Sequence, residues 1–160
     1  MRFKFLSIFA ALILLTACES TPKDGGDSMS SGQQAAPVAG PTPGTQEDLV
    51  VNVGDRVFFG LDQYDLQSDA RATLDRVAAW LNTNPSVTLT IEGHADERGT
   101  REYNLALGDR RATSARDYLT ALGVSSGRLR TVSYGEERPA VLGSNEASWA
   151  QNRRAVFLVN

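Results

Sequence analysis

The amino-acid sequence predicts an α+β domain in which helices pack on one mixed four-stranded sheet, in the order βαβαβ(α)β. Two observations support this fold class. From residue 49 onward, segments with the alternation of strands are interleaved with segments that have the apolar spacing of helices. Residues 49–160 also have the usual length of one domain with one core. Strands separated by helices favour helices packed on a shared sheet.

The first 17 residues have the features of an export signal. The segment MRFKF carries two positive charges, and LSIFAALILLTA is an apolar run of about a dozen residues, too short to cross a bilayer permanently. The run ends in LTAC, which resembles the lipobox of bacterial lipoproteins. This resemblance implies cleavage before Cys18 and a lipid on its sulfur. Because Cys18 is the only cysteine, no disulfide is expected in the domain.

Residues 18–48 are predicted to be the lipidated cysteine and a flexible tether. Gly, Ser, Pro, Gln and acidic residues dominate this segment, so it has little to bury. About thirty residues of flexible coil have an end-to-end distance near 30 Å. The resemblance to bacterial lipoproteins implies the outer membrane, because residue 19 is Glu and an inner-membrane lipoprotein of enteric bacteria would carry Asp there. The domain at 49–160 is therefore expected just above a membrane.

The first half of the domain contains a strand, a helix and a second strand. DRVFFG (55–60) has the composition of a strand, and VTLTIEG (87–93) alternates like one. Between them, SDARATLDRVAAWLNTNP (68–85) has apolar residues at helical spacing, with Ser68 as the expected N-cap and Pro85 beyond the helix end.

The second half continues the alternation. TREYNLALGDRRATSARDYLTALG (100–123) is predicted to be a helix capped by Thr100 and ended by Gly123. RLRTVSYG (128–135) and RRAVFLVN (153–160) alternate as strands, with a short helical turn expected at NEASWAQN (145–152). Because the last strand follows a hairpin-like return, the sheet should be mixed rather than all parallel.

The segment IEGHADERGT (91–100) concentrates ionisable groups, including the only histidine. A zinc site on Glu92, His94 and Asp96 is disfavoured because carboxylates suit a harder ion, so no metal or cofactor is expected. Glu92 and Asp96 also allow an alternative, a hydrolase that cleaves glycosidic bonds with two carboxylates. The net charge of -3, with both signs well mixed, indicates no nucleic-acid partner.

A binding site is predicted where the second strand leads into the long helix. Asp96 lies in the turn, and the free N–H groups of a helix N-terminus favour an anion. Asn104, Gly108 and Arg111 fall on one stripe of the helix, with Leu107 at its border, and Gly108 should leave room beside Arg111. A turn carboxylate and a helix guanidinium suit a ligand with an ammonium and a carboxylate. Alternatively, Asp96 and Arg111 pair with each other.

The segment GHADERGTREYNLALGDRRA, with VSYGEERPAV and NRRAVFLV downstream, closely resembles the OmpA-like domain family in its branch of peptidoglycan-associated lipoproteins, over about residues 53–159. The resemblance implies binding of peptidoglycan, without cleavage, through the diaminopimelate of its stem peptide. The residues that it assigns to the site are Asp96, Arg111, Asn104, Leu107, Asp62, Phe59, Gly60, Leu61 and Thr100. The alternative function is a peptidoglycan-acting hydrolase that uses Glu92 or Asp96.

The resemblance also implies a cellular role. The chain would be a non-enzymatic lipoprotein, anchored in the outer membrane with its domain in the periplasm, that attaches this membrane to the cell wall. It would belong to the Tol-Pal system of envelope integrity and cell division, with TolB among its partners.

Five further residues are interpreted as structural. His94 is expected to stabilise the turn through hydrogen bonds. Trp80 and Trp149 should cover edges of the core. Arg153 and Arg154 point to opposite faces of a strand, so at most one can join a given site, and each is expected to pair with surface acids.

Overall fold

The computed structural model describes residues 40–160, so the predicted signal peptide, Cys18 and most of the predicted tether lie outside the described residues. The strands are β1 (Arg56–Phe58), β2 (Leu89–His94), β3 (Leu129–Gly135) and β4 (Arg154–Val159). The helices are α1 (Gln46–Asp48), α2 (Ser68–Thr83), α3 (Arg101–Ala121) and α4 (Glu146–Asn152). A π-helical turn at Leu49–Val53 continues α1, and a 3-10 turn at Ser126–Arg128 precedes β3. No helix in 40–160 is both long and apolar enough to cross a membrane.

The four strands form one sheet in the order β1-β4-β2-β3. β2 runs parallel to β3, whereas β4 is antiparallel to both β1 and β2. The predicted mixed sheet is confirmed. The last strand inserts between β1 and β2, a placement that its sequence does not reveal.

The segment around α1 is tied to the domain by side-chain hydrogen bonds. Asp48 accepts from the indole Nε1 of Trp80 at 2.7 Å and from the backbone N–H of Gly44 at 2.9 Å. The amide of Gln46 bonds the backbone of β4 at Phe157 and Val159. The folded part therefore begins before residue 49, where the sequence placed its start.

α2 packs through the apolar stripe that predicted it. Leu74, Val77 and Leu81 are fully buried, because the 3.6-residue period keeps them on one side. Ser68 is the first helical residue, and Gln67 occupies the N-cap position without a side-chain cap. The predicted cap at Ser68 was therefore wrong by one position.

α3 begins and ends as predicted. The Thr100 side chain accepts from the N–H of Tyr103, and Gly123 takes a φ of +93° just beyond the helix, a conformation that favours glycine. The helix buries Leu107, Ala115 and Leu119 against the sheet, together with Arg111 at the same four-residue spacing.

α3 approaches β2 at a contact between two glycines. A Cβ added to Gly93 would lie 1.8 Å from the carbonyl oxygen of Gly108. A Cβ on Gly108 would lie 2.4 Å from the hydroxyl of Ser133. The prediction that Gly108 makes room beside Arg111 is wrong, because Gly108 serves the close approach of helix and sheet.

We predict that Gly93→Ala lowers the free energy of unfolding by about 3 kcal/mol, since two backbones must separate to admit one methyl group. Urea denaturation measures the change. Gly127→Ala is the matched control: its Cβ would meet only Ser125 Oγ at 3.8 Å. Equal stability of the two variants would contradict the role of the glycine contact.

Candidate functional site

A cavity of about 370 Å³ opens where α3 meets the ends of the sheet. Its walls come from the turn after β1, the loop after β2, the first three turns of α3 and the residue before β4. The lining residues are Leu61, Asp62, Asp96, Arg98, Gly99, Tyr103, Asn104, Leu107, Arg111 and Arg153.

Six of the nine residues assigned to the site by resemblance line this cavity. The other three lie next to it. Phe59 is buried beneath the guanidinium of Arg111, at 5.3 Å from its ring centre. The carbonyl of Gly60 accepts a hydrogen bond from Arg111, and Thr100 caps α3.

The sequence analysis missed Arg98, Gly99, Tyr103 and Arg153. Only Tyr103 had a usable signal, because it precedes Leu107 and Arg111 at steps of four residues along the helix. Arg153 comes from a distant part of the chain.

Arg111 is the largest fully buried side chain of the described residues. Its Nε donates to the carbonyl of Gln63 at 2.8 Å, and its two terminal nitrogens donate to the carbonyls of His94 at 2.8 Å and Gly60 at 3.1 Å. A guanidinium has five N–H groups, so one remains on each terminal nitrogen. Arg111 thus holds the wall of the cavity together, and two of its N–H groups have no acceptor among the described residues.

Burial lowers the pKa of Arg111 to about 10, while the nearby carboxylate of Asp96 opposes that shift. The guanidinium therefore stays charged at neutral pH. Because water is excluded, an anion reaching this charge is attracted more strongly than at an exposed site.

Asp96 is buried but is not paired with Arg111. Its carboxylate accepts from Arg98 at 2.6 Å and from Arg153 at 3.3 Å, and it also accepts from the backbone N–H of Arg98. Burial alone would raise the pKa of Asp96, but these hydrogen bonds outweigh it and the pKa is lowered. The alternative in which Asp96 and Arg111 pair with each other is wrong, because two other arginines hold Asp96.

Arg153 and Arg154 do point to opposite sides. Arg153 donates to Asp96, to the carbonyl of Phe59 and to Glu146, so it joins the cavity. Arg154 is buried on the other side and donates to the carbonyls of Asn152 and Arg138. The expectation of surface acids was wrong for Arg154 and only partly right for Arg153.

Helix α4 supports the cavity from behind. The guanidinium of Arg98 lies 4.1 Å from the ring centre of Trp149, and the indole N–H of Trp149 donates to Glu97. Glu146 lies 3.7 Å from Arg98 and 2.7 Å from Arg153. Trp149 therefore supports an arginine of the cavity rather than covering an edge of the core.

Asp62 differs from Asp96 in its environment. It is exposed, lies at a φ of +56°, and accepts a hydrogen bond from the hydroxyl of Tyr103. Within residues 40–160 no Lys or Arg nitrogen comes within 4.0 Å of it. Asp62 is thus a cavity carboxylate with no guanidinium partner in the described part of the chain.

His94 lies behind the cavity wall. Its ring is buried and stacks on Tyr134, but neither ring nitrogen has a hydrogen-bond partner among the described residues. The predicted role as a turn-stabilising hydrogen bonder is wrong for the ring, although the backbone carbonyl of His94 accepts a hydrogen bond from Arg111.

The segment 91–100, which holds Glu92, His94 and Asp96, does not form a metal site. Within residues 40–160, no three His, Cys, Asp or Glu side chains are grouped to hold a metal ion. Glu92 lies near His94 and Arg138 and does not line the cavity with Asp96. The two carboxylates of the hydrolase alternative are therefore not brought together in this cavity.

The chain matches the OmpA family model over residues 58–153. A peptidoglycan-associated lipoprotein of Rhizobium meliloti is 50% identical over 155 residues, covering 95% of this chain and 86% of the relative. A peptidoglycan-associated lipoprotein of Haemophilus influenzae is 43% identical over 154 residues, covering 96% and 95% of the two chains.

Solved structures agree with the fold. The crystal structure of the peptidoglycan-associated lipoprotein from Burkholderia pseudomallei matches with a TM-score of 0.65 and 45% identity, over 66% of this chain and 90% of that chain. The C-terminal domain of Helicobacter pylori MotB matches with a TM-score of 0.62 and 19% identity, over 66% and 84%, and shows the likeness of fold alone.

We predict that His94 makes stability depend on pH. Burial and the charges of Arg154 and Arg138 lower the pKa of His94 from 6.5 to about 4. Between these values the unfolded chain binds a proton that the folded chain does not, so stability falls as pH drops from 6.5 toward 4, by roughly 3 kcal/mol. Because the chain has one histidine, NMR of its ring protons in a preparation without a histidine tag measures this pKa directly. A ring that titrates near 6.5 in the folded protein would contradict the prediction.

Proposed function

This chain belongs to the OmpA family, among the peptidoglycan-associated lipoproteins, and from this premise we propose that it is a non-enzymatic outer-membrane lipoprotein whose domain binds peptidoglycan. The observation that carries the proposal is the cavity, which is lined by the buried guanidinium of Arg111. Two N–H groups of this guanidinium have no acceptor within residues 40–160. The names of the relatives suggest peptidoglycan as the ligand, and the charged groups of the cavity suggest which part of it binds.

The carboxylate end of the ligand is assigned to Arg111. Its position is set by three backbone carbonyls, so little side-chain freedom is lost when a ligand binds. Arg98 and Arg153 add positive charge to the same cavity. A hydrogen bond between charged groups contributes about 1.5 to 3 kcal/mol when it is shielded from water. Because Arg111 is buried and Asp62 is exposed, the carboxylate end should be the stronger determinant of affinity.

The ammonium end is assigned to Asp62. The sequence had favoured Asp96 for this role, but Asp96 already accepts from two arginines. Displacing either would break an ion pair of the buried carboxylate, which is costly at a buried site. Asp96 instead holds Arg98 and Arg153 in place.

A ligand with one ammonium and one carboxylate on the same carbon fits this pair of charges. The side chain of diaminopimelate in the peptidoglycan stem peptide ends in this way. Lysine, its counterpart in other peptidoglycans, keeps the ammonium and lacks the carboxylate. We therefore propose the diaminopimelate stem peptide as the ligand.

Binding rather than hydrolysis is supported by the state of the carboxylates. A general acid needs a raised pKa, whereas the pKa of Asp96 is lowered. Glu92 does not line the cavity. The proposed site holds its ligand without breaking a bond.

The remaining parts of the proposal concern the N-terminal segment, most of which lies outside residues 40–160, and the cellular role. Residues 1–17 would be removed, Cys18 would carry the lipid, and the segment that follows would tether the domain to the outer membrane from its periplasmic side. Membership of the family leads us to propose a role in the Tol-Pal system with TolB as a partner.

The proposal is tested by titrating the protein with two stem peptides that differ only in diaminopimelate or lysine. We expect the lysine peptide to bind at least about 10-fold more weakly, because Arg111 loses its carboxylate partner. Isothermal titration calorimetry measures both. In parallel, purified sacculi should co-sediment the protein and release no soluble muropeptides. Equal affinities would refute the assignment of the carboxylate, and released muropeptides would favour the hydrolase.

A second test replaces Arg111 by Lys, which keeps the charge and loses the planar fork. We expect binding of the diaminopimelate peptide to weaken at least about 10-fold, and stability to fall as well because carbonyls lose their donors. Arg110→Lys is the control, since Arg110 is exposed and lies over Tyr64 outside the cavity. Circular dichroism verifies that the variant is folded at the temperature of the titration. Unchanged binding by folded Arg111→Lys would exclude Arg111 from the site.

A further inference from the structure

We propose that Tyr103 is a positioning residue that sets ligand specificity by aiming the carboxylate of Asp62 at the ammonium of the ligand. The inference rests on the proposed function and adds a residue that neither the sequence analysis nor the resemblance assigned to the site.

The turn Gly60–Gln63 has a backbone conformation that constrains Asp62. Within this turn, the N–H of Gln63 donates to the carbonyl of Gly60 at 3.3 Å. Asp62 is the only non-glycine residue in 40–160 with a positive φ. Asp adopts this conformation more readily than most residues, because its short polar side chain bonds locally. The conformation fixes the direction in which the side chain of Asp62 leaves the turn.

Arg111 holds both ends of the same turn. It donates from one terminal nitrogen to the carbonyl of Gly60 and from Nε to the carbonyl of Gln63. The turn is thereby joined to the guanidinium assigned to the ligand's carboxylate. What remains free is the rotation of the Asp62 side chain itself.

Tyr103 removes that freedom. Its hydroxyl donates to Oδ1 of Asp62, and its backbone N–H donates to the side chain of Thr100 in the cap of α3. This bond leaves Oδ2 of Asp62 without a protein donor among the described residues, and therefore open to an ammonium. Both side chains line the cavity and are exposed, with Tyr103 at 43%, whereas Arg111 is fully buried. The cavity thus has its anionic group at the solvent end and its cationic group at the inner end.

The test measures binding of a diaminopimelate stem peptide by the full chain and four variants, Tyr103→Phe, Asp62→Asn, the double variant and Tyr118→Phe. Phenylalanine keeps the ring and removes only the hydroxyl. Tyr118 is the matched control, because its hydroxyl bonds Asp75 at 3.1 Å outside the cavity. Calorimetry gives each dissociation constant, and circular dichroism gives each folded fraction.

We expect Tyr103→Phe to bind about 5- to 10-fold more weakly, the range given by loss of one hydrogen bond, and Tyr118→Phe to bind as the parent does. In the Asp62→Asn background, removal of the Tyr103 hydroxyl should change binding less than about 2-fold, because there is no longer a charge to aim.

Two outcomes overturn the inference. If Tyr103→Phe binds as tightly as the parent, the hydroxyl has no role. If it weakens binding equally with and without Asp62, Tyr103 acts on the fold or on the ligand directly. Failure of the parent chain to bind the peptide would instead refute the proposed function, and the inference with it.

Discussion

The site depends on one buried charge. Arg111 lies among apolar side chains of α3, where an unsatisfied guanidinium would cost several kcal/mol, so its N–H groups must find acceptors. Three of the five donate to carbonyls at Gln63, Gly60 and His94, which belong to the turn after β1 and to the end of β2. Satisfying this charge therefore joins α3 to two other parts of the chain, and the cavity forms at that junction.

The carboxylates of the cavity have separate tasks because their surroundings differ. Asp96 is buried, so it needs strong partners, and it takes Arg98 and Arg153. Those arginines are held in turn by Glu146 and Trp149 of α4. Asp62 is exposed, and its Oδ2 has no protein donor in the described part of the chain, which is why we propose it for the ammonium of the ligand. Counting opposite charges in the sequence would miss this difference between the two carboxylates. The charge of Asp96 is already balanced by Arg98 and Arg153 when no ligand is bound.

The close contact of Gly93 with Gly108 sets the short distance between β2 and α3 beside the cavity. Without side chains at these positions the backbones meet directly, and the residues one turn before Gly108 and one turn after it are brought against the ends of the strands. The stripe Tyr103, Leu107 and Arg111 then faces the turn after β1. Helical spacing placed the last two on one side, and the sheet contact decided which part of the chain they meet.

Local order was readable from the residues alone. The period of α2, the Thr100 cap, the Gly123 stop and the alternation of the strands all arise from interactions within a few positions, and each was predicted before the structure. Burial of Arg111 could have been expected from its spacing with Leu107, Ala115 and Leu119. The tertiary structure alone decided that Arg111 bonds a carbonyl 48 residues away and that Asp96 meets Arg153 across 57. It also decided that the ring nitrogens of His94 have no hydrogen-bond partner among residues 40–160. The physical reason is that a charged side chain selects its partner by distance and burial in space, and neither quantity is encoded by neighbours along the chain.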